Sequence, residues 1–123
     1  MLGAVIPALA PAPTTSTQPR AAPEVPIACR RCGHTITHPS AREERDGAHL
    51  HTRINPGGWV HAFGCFSTAP GARAAGPPTS AHTWFAGHAW ETAECQACGA
   101  HLGWRFSGAS EFWGLILAEL RGA

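Results

Sequence analysis

The chain has 123 residues, enough for one small domain and a tail, and its nine basic and eight acidic residues give a net charge of +1. Because there is no basic excess, we expect no nucleic-acid partner. We expect no membrane segment either, because no apolar run approaches the roughly 18 residues that cross a bilayer. Charged residues make up only 14% of the chain, whereas Gly and Pro occupy 14 and 11 positions. This composition favours short strands and turns. So small a domain usually needs a stabilising crosslink, such as a disulfide or a bound metal ion.

Residues 1–24 are mostly Ala, Pro, Thr and Ser. Such a segment cannot bury enough apolar surface to offset its ordering entropy, so a disordered tail is predicted. The folded domain is predicted to cover residues 25–123. The start of the chain lacks the basic region of a secretory signal, and the cysteine usage below indicates a reducing compartment, so we expect a cytoplasmic protein.

Alternating large apolar and other residues predict a small all-β domain with no long amphipathic helix. The clearest signal is a hairpin, in which strands at 51–54 and 59–66 flank the turn Asn55-Pro56-Gly57-Gly58. Residues 67–80 carry three Pro and two Gly and are predicted to form a long connection. Other strands are predicted at 35–37, 89–93, 101–106 and 112–117, with a helical turn at 118–120.

Two Cys-x-x-Cys-Gly motifs, at 29–33 and 95–99, contain four of the five cysteines. Two thiolates at this spacing bind one Zn²⁺, and a second pair completes a closed tetrahedral site. The Gly after each pair suits a turn with positive φ. Two disulfides are the alternative, although a disulfide framework rarely places four cysteines in this way. We predict one structural Zn²⁺, needed for folding, with the ligands Cys29, Cys32, Cys95 and Cys98.

Three tryptophans, Trp84, Trp90 and Trp104, fall within the 23 residues that start at His82, and Phe106 follows. They could be buried as core, which is common for tryptophan in small β domains. They could also be the walls of a small-molecule pocket. Periodicity does not decide between the two.

The order of these motifs resembles the thalidomide-binding (CULT) domain of cereblon, most closely that of stand-alone bacterial homologues. The resemblance covers about residues 25–120, and the first cysteine pair, Asn55-Pro56-x-Gly58 and Val60-His61 match in order. It is carried mainly by His82-Thr-Trp84-Phe85-x-Gly87-x-Ala89-Trp90, by Cys95-x-x-Cys98-x-x-His101-Leu-Gly103-Trp104-x-Phe106, and by Phe112-Trp113-Gly114-Leu115.

This resemblance implies a β-tent, in which two antiparallel sheets meet at a steep angle and are pinned by the four-cysteine zinc site. It also implies a non-catalytic pocket for cyclic imides such as glutarimide, succinimide and thalidomide-type ligands. Imides formed when a C-terminal Gln or Asn cyclises in damaged proteins belong to the same class. The ligand-binding residues that it implies are Asn55, Pro56, His82, Thr83, Trp84, Trp90, Trp104 and Phe106.

In the family pattern the three tryptophans form walls and Phe106 closes the base. The backbone around His82 and Trp84 forms hydrogen bonds with the imide edge. A backbone carbonyl accepts from the imide N–H, and a backbone amide donates to an imide oxygen. Glu91 and Arg105 are next to pocket residues in sequence but should point away, because strand residues alternate between faces. Eukaryotic cereblon is a substrate receptor of a ubiquitin ligase, but its docking parts lie outside this domain. We therefore expect no ligase adaptor as a partner.

Three other functions remain open. Cys98-x-x-His101-Leu-Gly also resembles methionine sulfoxide reductase B, although 111–113 holds no nucleophilic cysteine and Cys65 is expected to pack as a small hydrophobe. A tryptophan cage could bind a methylated ammonium group through cation–π attraction, with a carboxylate from Glu91 or Glu94. A structural interaction module with buried tryptophans is the third.

The remaining histidines are given minor roles. His38, His49 and His51 stand in polar, turn-rich sequence and are expected to be solvated. His61 is interpreted as a core histidine, and His88 is placed at the rim of the pocket.

Overall fold

The computed structural model describes residues 24–123, so the predicted tail lies outside the described residues except for Glu24. No helix in this range is long and apolar enough to cross a membrane. Short 3-10 helices cover Pro39–Ala41 and Leu117–Glu119. The strands are β1 (Ile27–Cys29), β2 (Thr35–Thr37), β3 (Leu50–Ile54), β4 (Val60–Phe66), β5 (Ala72–Thr79), β6 (Ala89–Cys95), β7 (His101–Ser107), β8 (Glu111–Ile116) and β9 (Leu120–Arg121).

The strands form two antiparallel sheets, which confirms the predicted all-β fold class. The larger sheet has the order β3-β4-β8-β7-β6-β5, and the smaller one has the order β9-β1-β2. The last strand lies beside the first, with Leu120 paired to Cys29. The predicted hairpin is confirmed as β3 and β4, in which His51 pairs with Phe63 and Ile54 with Val60.

Two hydrophobic cores occupy opposite faces of the larger sheet. Successive residues of a strand point to opposite faces, so Leu115 of β8 belongs to the first core and Ile116 to the second. The first core joins the two sheets, and includes Ile27, Ile36 and Leu120 of the small sheet with Phe66, Leu102 and Leu115 of the large one. The second core is aromatic, and includes Phe63, Phe85, Trp104, Phe106 and Phe112.

The predicted long connection is wrong over residues 72–79, where the chain forms the edge strand β5. Pro77 and Pro78 lack a backbone N–H, which argues against a strand in the middle of a sheet. An edge strand tolerates them, because its ladder with β6 shifts register between Ala75 and Thr79. The helical turn is found one residue earlier than predicted, and β9 after it is a strand that the sequence analysis did not predict.

The close approach of β7 and β8 depends on Gly103. Its φ is +149°, and a Cβ at this position would lie 1.9 Å from the carbonyl oxygen of Gly114 and 3.1 Å from the Cα of Leu115. Both atoms belong to the backbone of the neighbouring strand. Only a residue without a side chain therefore fits here.

We expect Gly103→Ala to lower the free energy of unfolding by about 3 kcal/mol or more, because the clash cannot be relieved without disturbing the ladder between β7 and β8. Gly47→Ala is the matched control. Gly47 also has a positive φ, of +85°, but a Cβ added there would meet no atom within 4 Å. Backbone strain alone should then cost about 1 kcal/mol. Urea unfolding of the metal-loaded proteins measures both, and equal losses would contradict the steric argument.

Candidate functional site

Four cysteine sulfurs converge where the two sheets meet. The Sγ atoms of Cys29, Cys32, Cys95 and Cys98 all lie within 4.8 Å of one another. The distance between Cys29 and Cys98 is 3.7 Å, and that between Cys32 and Cys95 is 3.6 Å. A disulfide would require about 2.05 Å. Tetrahedral bonds of about 2.3 Å to zinc would instead separate the sulfurs by about 3.8 Å. The predicted convergence is confirmed, and the cluster can hold a metal ion.

Each cysteine pair lies in the same kind of turn. In the first turn Gly33 N donates to Cys29 O at 2.8 Å, and Cys29 N donates to His34 O at 2.8 Å. The second turn repeats the first of these bonds, with Gly99 N donating to Cys95 O at 2.9 Å. Gly33 and Gly99 have φ values of +77° and +78°, which residues with a Cβ rarely adopt. Each turn contributes one buried and one exposed cysteine to the cluster.

The pKa values differ between Cys95 of the cluster and the fifth cysteine, Cys65. They also differ within the cluster, where a backbone hydrogen bond with His34 lowers the pKa of Cys32 but burial and the neighbouring thiols raise it to about 12. Burial raises the pKa of the Cys95 thiol, but hydrogen bonds from the backbone amides of Cys98 and Ala97 outweigh it, and the pKa is lowered to about 7. This favours the thiolate, which is the metal-binding form. Burial, and then the charge of Glu43, raise the pKa of Cys65 to about 12. Cys65 therefore stays a neutral thiol within the aromatic core.

An open cavity of about 460 Å³ lies on the aromatic face of the larger sheet. This volume falls within the usual range for small-molecule sites. Seven of the eight predicted pocket residues line it. Thr83 does not, and its hydroxyl instead donates to Phe85 O at 3.3 Å. The lining residues are Asn55, Pro56, Trp59, His61, His82, Trp84, Trp90, His101, Trp104 and Phe106.

The three predicted tryptophans are held in fixed orientations around the cavity. The rings of Trp84 and Trp104 are nearly perpendicular, with centroids 4.8 Å apart and an interplanar angle of 82°. Trp84 also stacks on Phe63 at 5.5 Å. The indole Nε1 of Trp90 donates to Ala81 O at 2.8 Å, which ties this ring to the loop before β6. Packing and one hydrogen bond thus fix the walls without a ligand.

The loop between β5 and β6 is anchored by Phe85, a residue to which the sequence analysis gave no role. Phe85 is 3% exposed and meets Phe106 and Phe112 edge to face, at 4.9 and 5.0 Å. Its neighbour Trp84 is thereby held against the cavity. Within residues 24–123, no hydrogen bond uses the carbonyl of His82 or the backbone amide of Trp84. Both groups are therefore without a hydrogen-bond partner in the part of the chain that the structure describes.

Asn55 closes the turn of the β3–β4 hairpin at the cavity mouth. Its backbone N donates to Trp59 O, and its backbone O accepts from Gly58 N, each at 2.9 Å. Its side-chain Oδ1 accepts from Trp59 N, also at 2.9 Å. The oxygen is therefore occupied within the loop. The Nδ2 amide, 3.5 Å from His61 Nε2, is the part of the side chain that remains for a ligand.

Three lining residues were missed by the sequence analysis: Trp59, His61 and His101. Alternation along β4 offered a signal for His61, which shares the face of Phe63. Two other predictions for histidines are wrong. His51 is buried rather than solvated, since its ring stacks on Phe63 at 5.6 Å. His88 packs against the core residue Phe112 and does not line the cavity.

The charged residues next to the tryptophans point away from the cavity, as predicted. Arg105 bonds Glu91 at 3.1 Å and Glu111 at 2.6 Å on the opposite face of the sheet. Among the described residues that line the cavity there is no Asp or Glu. Burial, and then the nearby His101, lower the pKa of His61, which keeps this imidazole neutral at physiological pH. These surroundings favour an uncharged ligand.

Fold and site together define a small all-β domain with an aromatic cavity and a cluster of four cysteines that can hold a metal ion. No protein-family model matches the chain. The chain is similar to cereblon of Danio rerio, with 37% identity over 73 residues, which is 54% of this chain and 17% of that protein. Cereblon of Gallus gallus (36% over 73 residues, 54% and 16%) and of Xenopus tropicalis (35% over 74 residues, 55% and 17%) are similar to the same extent.

The match therefore spans only about a sixth of the length of these curated relatives, 16% to 17% of each. Sequence similarity over part of the chain, two antiparallel sheets and the four clustered cysteines agree. The chain contains a cereblon-like domain, which confirms the family resemblance deduced from the motifs, whereas the likeness to stand-alone bacterial homologues stays a prediction.

We expect Cys29→Ser and Cys95→Ser each to abolish stoichiometric zinc binding and cooperative unfolding. Structural zinc contributes about 10 kcal/mol or more, which is comparable with the whole stability of a small domain. Metal analysis and thermal unfolding measure the two effects. Cys65→Ala is the control, because it removes a buried thiol outside the cluster and should keep one zinc per chain. A serine variant that retained full zinc would contradict this assignment.

The lowered pKa of His61 predicts a loss of stability in acid. Unfolding returns the imidazole to its ordinary pKa of about 6.5, so the unfolded chain takes up the proton first as the pH falls. The contribution of neutral His61 is therefore present above about pH 6.5 and is lost as the pH falls through the folded pKa. Unfolding free energies at pH 7.5 and 5.5 should differ more for the wild type than for His61→Gln. An equal difference in the two proteins would contradict the prediction.

Proposed function

We propose that this domain binds cyclic imides in the aromatic cavity and catalyses no reaction on them. The observation that carries the proposal is the combination of three tryptophan walls with two neighbouring backbone groups that have no hydrogen-bond partner among residues 24–123. An imide ring has apolar methylenes that suit indole faces. Its edge carries one N–H donor between two carbonyl acceptors. That edge matches the free carbonyl of His82 and the free amide of Trp84.

The hydrogen-bonding edge would supply the specificity. In a site walled by aromatic rings, a ligand that leaves a backbone donor or acceptor unpaired loses affinity, because the desolvation cost is not recovered. A plain hydrocarbon ring should therefore bind poorly, although it fits the walls. An N-methylated imide should also fail, because it offers no N–H and places a methyl group against the His82 carbonyl.

The proposed physiological ligand is the cyclic imide left at the C-terminus of a damaged protein when Gln or Asn cyclises. The family resemblance and the uncharged character of the cavity support this class. We further propose that the cysteine cluster holds one Zn²⁺. Four thiolates leave no open position for water, so this ion would be structural. Free cysteines at the cluster also suit a reducing compartment such as the cytoplasm.

The rival functions receive less support. A reductase needs a reactive thiolate, whereas Cys65 is fully buried and the pKa of its thiol is raised to about 12. A methylammonium cage commonly adds a carboxylate to its aromatic rings, whereas Glu91 and Glu94 are paired with Arg105 and Arg73. A purely structural module would have no need of an open cavity with free backbone groups.

The direct test is titration of the metal-loaded protein with glutarimide, followed by tryptophan fluorescence. We expect saturable binding in the micromolar range, no binding of N-methylglutarimide, and at least about tenfold weaker binding by Trp84→Ala and Trp104→Ala. Trp113→Ala is the matched control, since Trp113 lies on the opposite face beside Arg105 and Glu111. A folded, metal-loaded wild type whose emission does not respond to glutarimide would rule out the proposed function.

A further inference from the structure

An exposed tryptophan stands at the mouth of the cavity. Trp59 is 71% exposed, whereas Trp104, at the cavity wall, is 8% exposed. Trp59 nevertheless lines the same cavity. An indole so exposed in the free protein has a large apolar face to bury when a ligand arrives. The three inner walls already suffice for an imide ring, so Trp59 is available for another part of the ligand.

The position of Trp59 is set by the turn that carries it. Both its backbone N and its backbone O are hydrogen-bonded to Asn55, as described above. Its indole lies against Gly57, where a Cβ would be 3.4 Å from Trp59 Cδ1. A Cβ at residue 57 would therefore be in van der Waals contact with the indole. Because the turn fixes the backbone of Trp59 at the cavity mouth beforehand, less backbone entropy is lost when a ligand covers the ring.

The hairpin has three other large exposed apolar residues, Leu50, Ile54 and Val60. Ile54 and Val60 are paired across β3 and β4 and are 63% and 62% exposed. Neither lines the cavity. Trp59 is thus the exposed aromatic residue of the hairpin that is continuous with the cavity, and Ile54 and Val60 provide matched comparisons.

We propose that Trp59 forms a second subsite, which binds the residue preceding the imide in a peptide that ends in a cyclic imide. This inference rests on the proposed function. In such a peptide the ring carries its own α-nitrogen, which is acylated by the carbonyl of the preceding residue, so the chain must leave through the cavity mouth. A single imide ring is also much smaller than a cavity of about 460 Å³. The exposed indole face selects an aromatic or large apolar side chain at that position.

The test compares three ligands by calorimetry: glutarimide, acetyl-glycyl-aminoglutarimide and acetyl-phenylalanyl-aminoglutarimide. We expect the wild type to bind the phenylalanyl ligand about tenfold more tightly than the glycyl ligand. Trp59→Ala should remove this preference, so that the phenylalanyl and glycyl ligands bind to the variant about equally. Trp59→Phe should keep part of the preference, and Ile54→Ala should keep all of it. Zinc content and thermal unfolding establish that each variant is folded.

The remaining outcomes overturn the proposal in distinguishable ways. Equal wild-type affinities for the two peptide ligands would overturn the subsite and leave imide binding intact. An equal loss of all three ligands in Trp59→Ala would make Trp59 a wall of the ring site instead. Failure of the folded wild type to bind glutarimide would overturn the proposed function and the subsite together.

Discussion

The convergence of four cysteine sulfurs is the constraint on which the rest of the structure depends. The small sheet consists of strands of three, three and two residues, which is too little pairing to be stable alone. It is held by the first core and by the two cysteine turns. Cys29 comes from the small sheet and Cys95 from the large one, so a metal ion bound between them joins the sheets directly. A small domain gains much from such a crosslink.

The second cysteine turn also helps to position the cavity. The second cysteine turn connects β6 to β7, and the register that starts there places Trp90 opposite Phe106 and Thr92 opposite Trp104. Two walls and the base of the cavity therefore come from adjacent strands of one sheet. The third wall comes from the loop after β5, which Phe85 pins to the aromatic core. Rigid walls make a binding site more selective, because little ordering is needed when the ligand enters.

Recognition at this site would divide between two kinds of contact. The aromatic faces would discriminate little between ligands, since any flat apolar ring gains binding free energy by packing on them. The backbone groups at His82 and Trp84 would discriminate more strongly between ligands. A ligand without the matching donor and acceptor would leave these groups without hydrogen bonds in a partly dry cavity. The turn that carries Asn55 and Trp59 extends the site outward at the edge of the sheet. An edge hairpin can vary in sequence without disturbing the cores, which makes it a natural place for ligand preference to change.

The sequence by itself determined the fold class, the hairpin and the four clustered cysteines. Each of these features has a local pattern, which is either the alternation of apolar residues along a strand or the Cys-x-x-Cys-Gly motif. The candidate tryptophan walls came from family resemblance, since alternation alone could not separate core from pocket. Only the tertiary structure decided that the proline-bearing segment 72–79 is an edge strand, that His51 is buried, and that Trp59, His61 and His101 meet at one cavity. These outcomes depend on which distant segments pack together, and no local pattern specifies that packing.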